Sequence, residues 1–296
     1  MSASALLIDG VPLPLAPNAP ASAVYGHVLG LPSVIDGARY LAEQGATPTR
    51  IAPPQPGVYV FQREWAVVPT TQPVILGSDS ATTCHILLAV SPKAVFCTHL
   101  DGVPSQVPAF LKALRESFPT SEDDLAIVDL YIAGGLDDVA SRQLGAALLS
   151  ALHRAAGTWP AARFNLKACC IGPLNTLRPK KAALPAVRAL AWDAPAGRVI
   201  VNAWFDDKSP ERWLRAAYSM AGTLPLVRTY DAATGKHDFG ADYKLEPMPA
   251  AYIDELLGMD DATLLLNAST SPEAEHDTFC DEMRQTLWFL RSYQPA

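Results

Sequence analysis

From Gly57 onward the chain breaks into short apolar runs separated by turn-forming residues, a pattern that restricts it to folds containing substantial β-sheet. The runs span 58–68, 74–77, 84–90, 95–99, 125–132, 164–171, 187–192, 199–205 and 226–230. Helical periodicity is clearest over 138–155, where Leu144, Leu148 and Leu152 recur every fourth residue. Ser209-Pro210-Glu211 and Ser271-Pro272-Glu273 each read as a helix start, with serine as N-cap and proline in the first turn. The second leads into a C-terminal helix carrying Phe279, Met283, Leu287 and Leu290. Strands and helices do not alternate as βαβ units, so the α+β class is expected. Residues 1–56, rich in Pro and Ala with a helical stretch near 33–43, read as an extended segment wrapping a body formed by 57–296.

Composition narrows the function. With 49% hydrophobic and 18% charged residues the chain of 296 residues can bury a large core. A formal net charge of −7 argues against nucleic acid as a partner. The five cysteines are odd in number and lack CxxC spacing, which suits reduced thiols. No secretory leader is evident, and no apolar run approaches the ~18 residues a bilayer requires. A cytoplasmic protein, or one shared between cytosol and nucleus, with no membrane partner is expected. No His/Cys/Asp grouping has metal-ligand spacing, so neither metal nor cofactor is expected.

One stretch carries chemistry: Leu76-Gly77-Ser78-Asp79-Ser80-Ala81-Thr82-Thr83-Cys84-His85. A strand stops at a glycine, small residues follow, and a cysteine opens the next strand. Small residues allow close approach to the backbone, and the run offers N–H groups and the hydroxyls of Thr82 and Thr83 to a ligand or oxyanion. On composition alone, a buried structural cysteine is the commoner meaning of such a segment. Strand geometry adds a partner. Ser91-Pro92-Lys93-Ala94 suits a hairpin with an even-numbered loop, which sets Leu88 opposite Cys97, Ile86 opposite His99 and Cys84 opposite Asp101. Side chains alternate with period two, so Cys84 and His99 then share a face, diagonal neighbours ~7–8 Å apart between backbones. His85 points through the other face. An odd-numbered loop would reverse the assignment.

A thiolate is the nucleophile, and an imidazole beside it accepts the thiol proton. Ser78, Asp79 and Asp101 are the candidates for orienting that imidazole. Gly134-Gly135-Leu136-Asp137-Asp138 lacks the third glycine of a dinucleotide fingerprint and reads as a strand-to-helix turn with an acidic N-cap.

These residues resemble the protein N-terminal asparagine amidohydrolase family. The likeness runs through Leu76-Gly77-Ser78-Asp79, Ala81-Thr82-Thr83-Cys84-His85-Ile86, Thr98-His99, Asp101-Gly102 and Gly134-Gly135. It continues through Leu214-Arg215-Ala216-Ala217, Tyr230-Asp231-Ala232, Ser269-Thr270-Ser271-Pro272 and Thr286-Leu287-Trp288-Phe289-Leu290. It implies hydrolysis of the side-chain amide of an N-terminal asparagine to aspartate and ammonia, on protein or peptide substrates that feed an arginylation and degradation pathway. It places the family's cysteine on Cys84 and its histidine on His99. The spacing of that pair is also similar, remotely, to chemoreceptor glutamine deamidases and cytotoxic necrotizing factor toxins. That second likeness implies a mixed or antiparallel β-sandwich core with flanking helices, and it places a hydroxyl residue at Ser78.

Selecting a terminal over an internal residue calls for a carboxylate that pairs with the α-ammonium and would be left unpaired by an internal residue. Asp79, Asp101 and Glu64 are the candidates, in that order. Two other functions use the same residues: a deamidase of internal Gln or Asn or of small amides, and a non-catalytic module that holds an N-terminus.

Overall fold

The computed structural model describes residues 6–103, 105–118, 126–159, 162–179 and 182–293. Its centre is a hairpin formed by His85–Val90 and Ala94–Leu100, whose pairs Val90–Val95, Leu88–Cys97 and Ile86–His99 reproduce the expected register. These strands are buried on both faces. Leu87, Ala89, Phe96 and Leu100 face one core, while Ile86, Leu88, Val95 and Cys97 face a second. A sheet covered on both sides must read as continuous apolar runs rather than strict alternation, as these do.

Among the described residues the hairpin belongs to an eight-stranded mixed sheet. Its order is Val227–Arg228, Glu64–Pro69, Ala94–Leu100, His85–Val90, Ala126–Gly134, Ala162–Ile171, Leu7–Ile8, Val11–Pro12. The four strands around the hairpin run antiparallel, and Ala162–Ile171 then pairs in parallel with Ala126–Gly134. A smaller sheet of Arg198–Val201, Leu190–Asp193, Ile75–Ser78 and Gly57–Tyr59 stacks on one face through Val58, Leu76, Leu190 and Val201. Helices cover the other face through Val24 and Val28, Phe110 and Leu114, and Leu144, Leu148 and Leu152. The fold is thus an α+β sandwich with flanking helices. Four further helices, Arg212–Ala221, Ala250–Leu257, Asp261–Ala268 and Phe279–Ser292, share their own core around Tyr218, Leu264 and Leu287.

Several expected elements differ. The run 58–68 is two strands, Gly57–Tyr59 and Glu64–Pro69, in different sheets. Arg63, at φ 63°, turns the chain between them. Asn202, at φ 50°, likewise divides 199–205 into Arg198–Val201 and Ala203–Phe205. The N-terminal residues do not merely wrap the body. Leu7–Ile8 extends the main sheet, helix Ala21–Leu29 packs on the helical side, and helix Pro32–Gln44 places Ala38 and Leu41 in the inter-sheet core. This segment also covers His153, which is buried with Nε2 against the Ala16 carbonyl at 3.0 Å. Neither Ser-Pro-Glu sequence starts a helix directly. Ser209 closes a turn by donating its N–H to Asp207, and the helix begins at Arg212. The Ser271 hydroxyl donates to Thr82 Oγ1 at 2.7 Å instead of capping, so Pro272–Ala274 forms only a 3₁₀ turn and the helix waits until Phe279.

Candidate active site

Cys84 stands at the start of its strand, one residue before the first ladder pair, His85–Leu100. It packs with Ile86 and Leu88 in the inter-sheet core, and His99 pairs with Ile86, so the thiol and the imidazole lie on one face. His85 points to the opposite face, as alternation requires, and packs against Gly135.

The approach to Cys84 is held from several sides. Ser80 takes a left-handed conformation at φ 61°. Ala81 N–H donates to the Arg188 carbonyl, and Ser141 Oγ donates to the Thr83 carbonyl at 3.0 Å. Thr83 and Thr270 share a hydroxyl–hydroxyl hydrogen bond of 2.9 Å. Beneath the cysteine, Gly135 N–H donates to the Cys84 carbonyl at 2.7 Å. Gly134, at φ 106°, permits that approach, because a Cβ there would sit 2.2 Å from the same oxygen. The turn then runs into helix Val139–Thr158, whose N-cap Asp138 accepts from Ser141 N–H at 2.9 Å. Among the described residues, the N–H groups of Thr82, Thr83 and Cys84 donate to no backbone or side-chain acceptor.

Of the three candidates for orienting His99, Ser78 makes the contact, with Oγ 2.7 Å from Nδ1. The same hydroxyl donates its single proton to the Val60 carbonyl at 2.5 Å, so it must accept from Nδ1–H. That fixes the tautomer and leaves the lone pair on Nε2, which is buried with no hydrogen-bond partner among the described residues. Burial lowers His99 from 6.5 to about 4, against the opposing charges of Asp101 and Asp79. Burial pushes the Cys84 thiol well above its ordinary value, with the charges of Asp101 and Glu275 adding and Thr83 and Arg63 opposing. The pair therefore rests as thiol and neutral imidazole.

The three carboxylates expected to receive an ammonium are already matched by cations of this chain. Asp79 is fully buried and accepts from Lys208 Nζ at 2.7 Å, Tyr59 OH at 2.8 Å and Phe205 N–H at 3.1 Å. Asp101 holds Arg63 Nε at 2.6 Å and Gln106. Glu64 is fully buried, with Arg215 on both oxygens at 3.0 and 2.7 Å and Tyr243 OH at 2.9 Å. Sequence reasoning missed Lys208, Arg63 and Arg215 in these pairs. Arg215 lies in the Leu214-Arg215-Ala216-Ala217 motif, the one signal that marked it.

Cys84, His99, Asp79, Thr82, Thr83 and Asp101 open into one cleft of about 400 Å³. Its far wall comes from Ala268–Thr270, Glu275, His276, Phe279 and Met283. Ser78 and Glu64 lie behind it. Among the described residues no helix is long and apolar enough to cross a membrane, and no group of three or more His, Cys, Asp or Glu is placed to hold a metal ion.

The fold and site define an α+β sandwich that meets a helical unit across a cleft lined by Cys84 and His99. The family model of protein N-terminal asparagine amidohydrolases matches residues 47–296. The human protein N-terminal asparagine amidohydrolase is 34% identical over 81% of this chain and 76% of its own length. That of Mus musculus is 32% identical over 97% and 89%, and that of Arabidopsis thaliana 26% identical over 80% and 73%. The chain belongs to the protein N-terminal asparagine amidohydrolase family.

Proposed function

We propose that this chain removes the side-chain amide of an N-terminal asparagine, using Cys84 as nucleophile and His99 as general base. The observation that carries the mechanism is the Ser78 contact. By accepting Nδ1–H it presents an unpartnered Nε2 lone pair on the face that bears the thiol. With His99 lowered to about 4, that lone pair is available at neutral pH.

His99 Nε2 takes the thiol proton as sulfur bonds to the amide carbon, and the carbonyl π electrons move onto oxygen. The free N–H groups of Thr82, Thr83 and Cys84 can receive that oxyanion. Collapse breaks the C–N bond, and the imidazolium returns its proton to the leaving nitrogen as ammonia. A water, deprotonated by His99, then attacks the thioester. It releases an aspartate side chain and restores the thiol. Ser78 acts through His99, whereas Asp79–Lys208 and Glu64–Arg215 hold Tyr59 and the walls in place. The product, an N-terminal aspartate, suits a pathway that conjugates arginine to acidic N-termini.

The test is ammonia release from peptides beginning with Asn, Gln and acetyl-Asn. Release from the free Asn peptide alone supports both reaction and specificity. Equal release from the acetylated peptide favours an internal deamidase, and silence on all three favours a binding module.

A further inference from the structure

The Ser269-Thr270-Ser271-Pro272 segment meets the turn that carries Cys84, and the hydroxyls around the cleft are not equivalent. Most of them spend their proton on an acceptor of this chain. Tyr59 and Ser80 donate to Asp79 at 2.8 and 2.9 Å, and Ser269 donates to Glu275. Ser219 and Thr286 donate to carbonyls of their own helices at 2.7 and 2.9 Å. Thr83 and Thr270 share one bond at the exposed rim, where solvent accepts the remaining proton. Thr82 is the exception. Its Oγ1 accepts from the Ser271 hydroxyl at 2.7 Å, and among the described residues its own O–H meets no acceptor. Thr82 is 8% exposed and Ser271 6%, so the pair is shielded from solvent. A buried hydroxyl without an acceptor is unfavourable, and the carbonyl oxygen of a bound amide would supply one. Accepting from Ser271 also polarises the Thr82 O–H and makes it the stronger donor. Thr82 lines the same cleft as Cys84 and His99, in the turn that carries the free N–H groups.

We propose that Thr82 Oγ1 donates a hydrogen bond to the amide oxygen as it becomes the oxyanion, and that Ser271 positions this hydroxyl from the facing wall. This rests on the amidohydrolase reading above. Thr82 keeps its proton throughout. Charge forms on oxygen when sulfur bonds to the amide carbon and leaves it when the C–N bond breaks, and the hydroxyl stabilises the state in between. Ser271 lies in the segment that leads into helix Phe279–Ser292, so docking of that segment on the sandwich completes the donor set. The serine that fails to cap a helix thereby has another use.

The experiment measures kcat and KM on a free Asn peptide, with urea unfolding, for wild type, Thr82→Val, Thr82→Ser, Ser271→Ala and the Thr82→Val, Ser271→Ala double variant. Thr82→Val keeps the shape of the side chain and removes the donor. It should lower kcat by about 10²-fold, the loss typical of one oxyanion donor, with KM within roughly threefold of wild type. Thr82→Ser restores a hydroxyl and should recover most of that loss. Ser271→Ala removes only the positioning partner and should lower kcat roughly 3- to 10-fold. The double variant should be no slower than Thr82→Val alone, because Ser271 acts through Thr82. Loosening of the turn in general would produce neither the rescue by serine nor that non-additivity. The proposal is overturned by a folded Thr82→Val enzyme with wild-type kcat, by Thr82→Ser as slow as Thr82→Val, or by losses that multiply in the double variant. Each of these leaves the amidohydrolase reading intact. If Thr82→Val does not fold, an undiminished kcat in Ser271→Ala overturns the proposal instead. A wild-type enzyme inert toward the free peptide overturns the amidohydrolase reading itself.

Discussion

At the scale of single residues, the Cys84–His99 pair follows from counting along two strands, because side-chain alternation and an even loop determine which groups share a face. The partners of the acids do not follow in that way. Lys208 and Arg215 reach Asp79 and Glu64 from positions 129 and 151 residues away, and only the packed fold brings them together. The choice among Ser78, Asp79 and Asp101 as His99's partner was open for the same reason. Ser78 wins because its own strand stacks over the hairpin and the Val60 carbonyl takes its proton. Replacing Ser78 with Ala should therefore lower kcat/KM by ~10²-fold, within the range that general-base catalysis contributes. It should cost about 1–3 kcal/mol in urea unfolding, because the Val60 carbonyl loses its donor. Burial favours neutral His99 down to about pH 4, so protonation of this base should not limit the reaction near neutrality. In a pH profile of kcat/KM the acidic limb should fall below 6.5. A limb at or above 6.5 would mean an ordinary, solvated imidazole.

At the scale of elements, the hairpin was legible in outline and register because its strands are apolar on both faces and its loop is short. Runs 58–68 and 199–205 were not divided correctly: nothing in Arg63 announces a left-handed backbone, and Asn202, of a residue type that tolerates one, sits inside an apolar run that masks it. The same limit hid the helix starts, since the Ser271 hydroxyl is taken by Thr82 only after the C-terminal segment has docked. The glycine pair was legible as a turn but not as the floor of the site. Gly134→Ala would place a Cβ on the Cys84 carbonyl at a φ that L side chains rarely adopt, so the backbone of Cys84 must move. The variant should lose ~10²-fold or more in kcat, since small misplacements of reacting groups are that costly. Its loss of stability should be about 1–3 kcal/mol, checked by steady-state kinetics beside urea unfolding.

At the scale of the molecule, the sandwich supplies Cys84 and His99 while the C-terminal helical unit supplies the opposite wall. Glu64 and Arg215, both fully buried and 2.7 Å apart, clamp the two together. Such a pair contributes little compared with well-packed apolar residues, but removing one partner strands the other charge. Arg215→Met should cost about 3–5 kcal/mol in urea unfolding, with much of that recovered in the Arg215→Met, Glu64→Gln double variant. In the N-terminal segment the helix expected near 33–43 is present as Pro32–Gln44, whereas the strand Leu7–Ile8 and the helix Ala21–Leu29 were not foreseen from its Pro and Ala content. Its apolar residues Leu6, Ile8, Leu13, Val24, Val28 and Leu29 are each buried against other parts of the chain.

The central claim is that a single thiol performs this chemistry, and the most direct measurement is kcat/KM of wild type, Cys84→Ala and Cys84→Ser on a free N-terminal Asn peptide. Both variants should fold with unfolding midpoints near wild type and still bind the peptide, while turnover falls by at least ~10³-fold. A folded Cys84→Ala enzyme within tenfold of wild-type turnover would contradict the account and remove Cys84 from the mechanism.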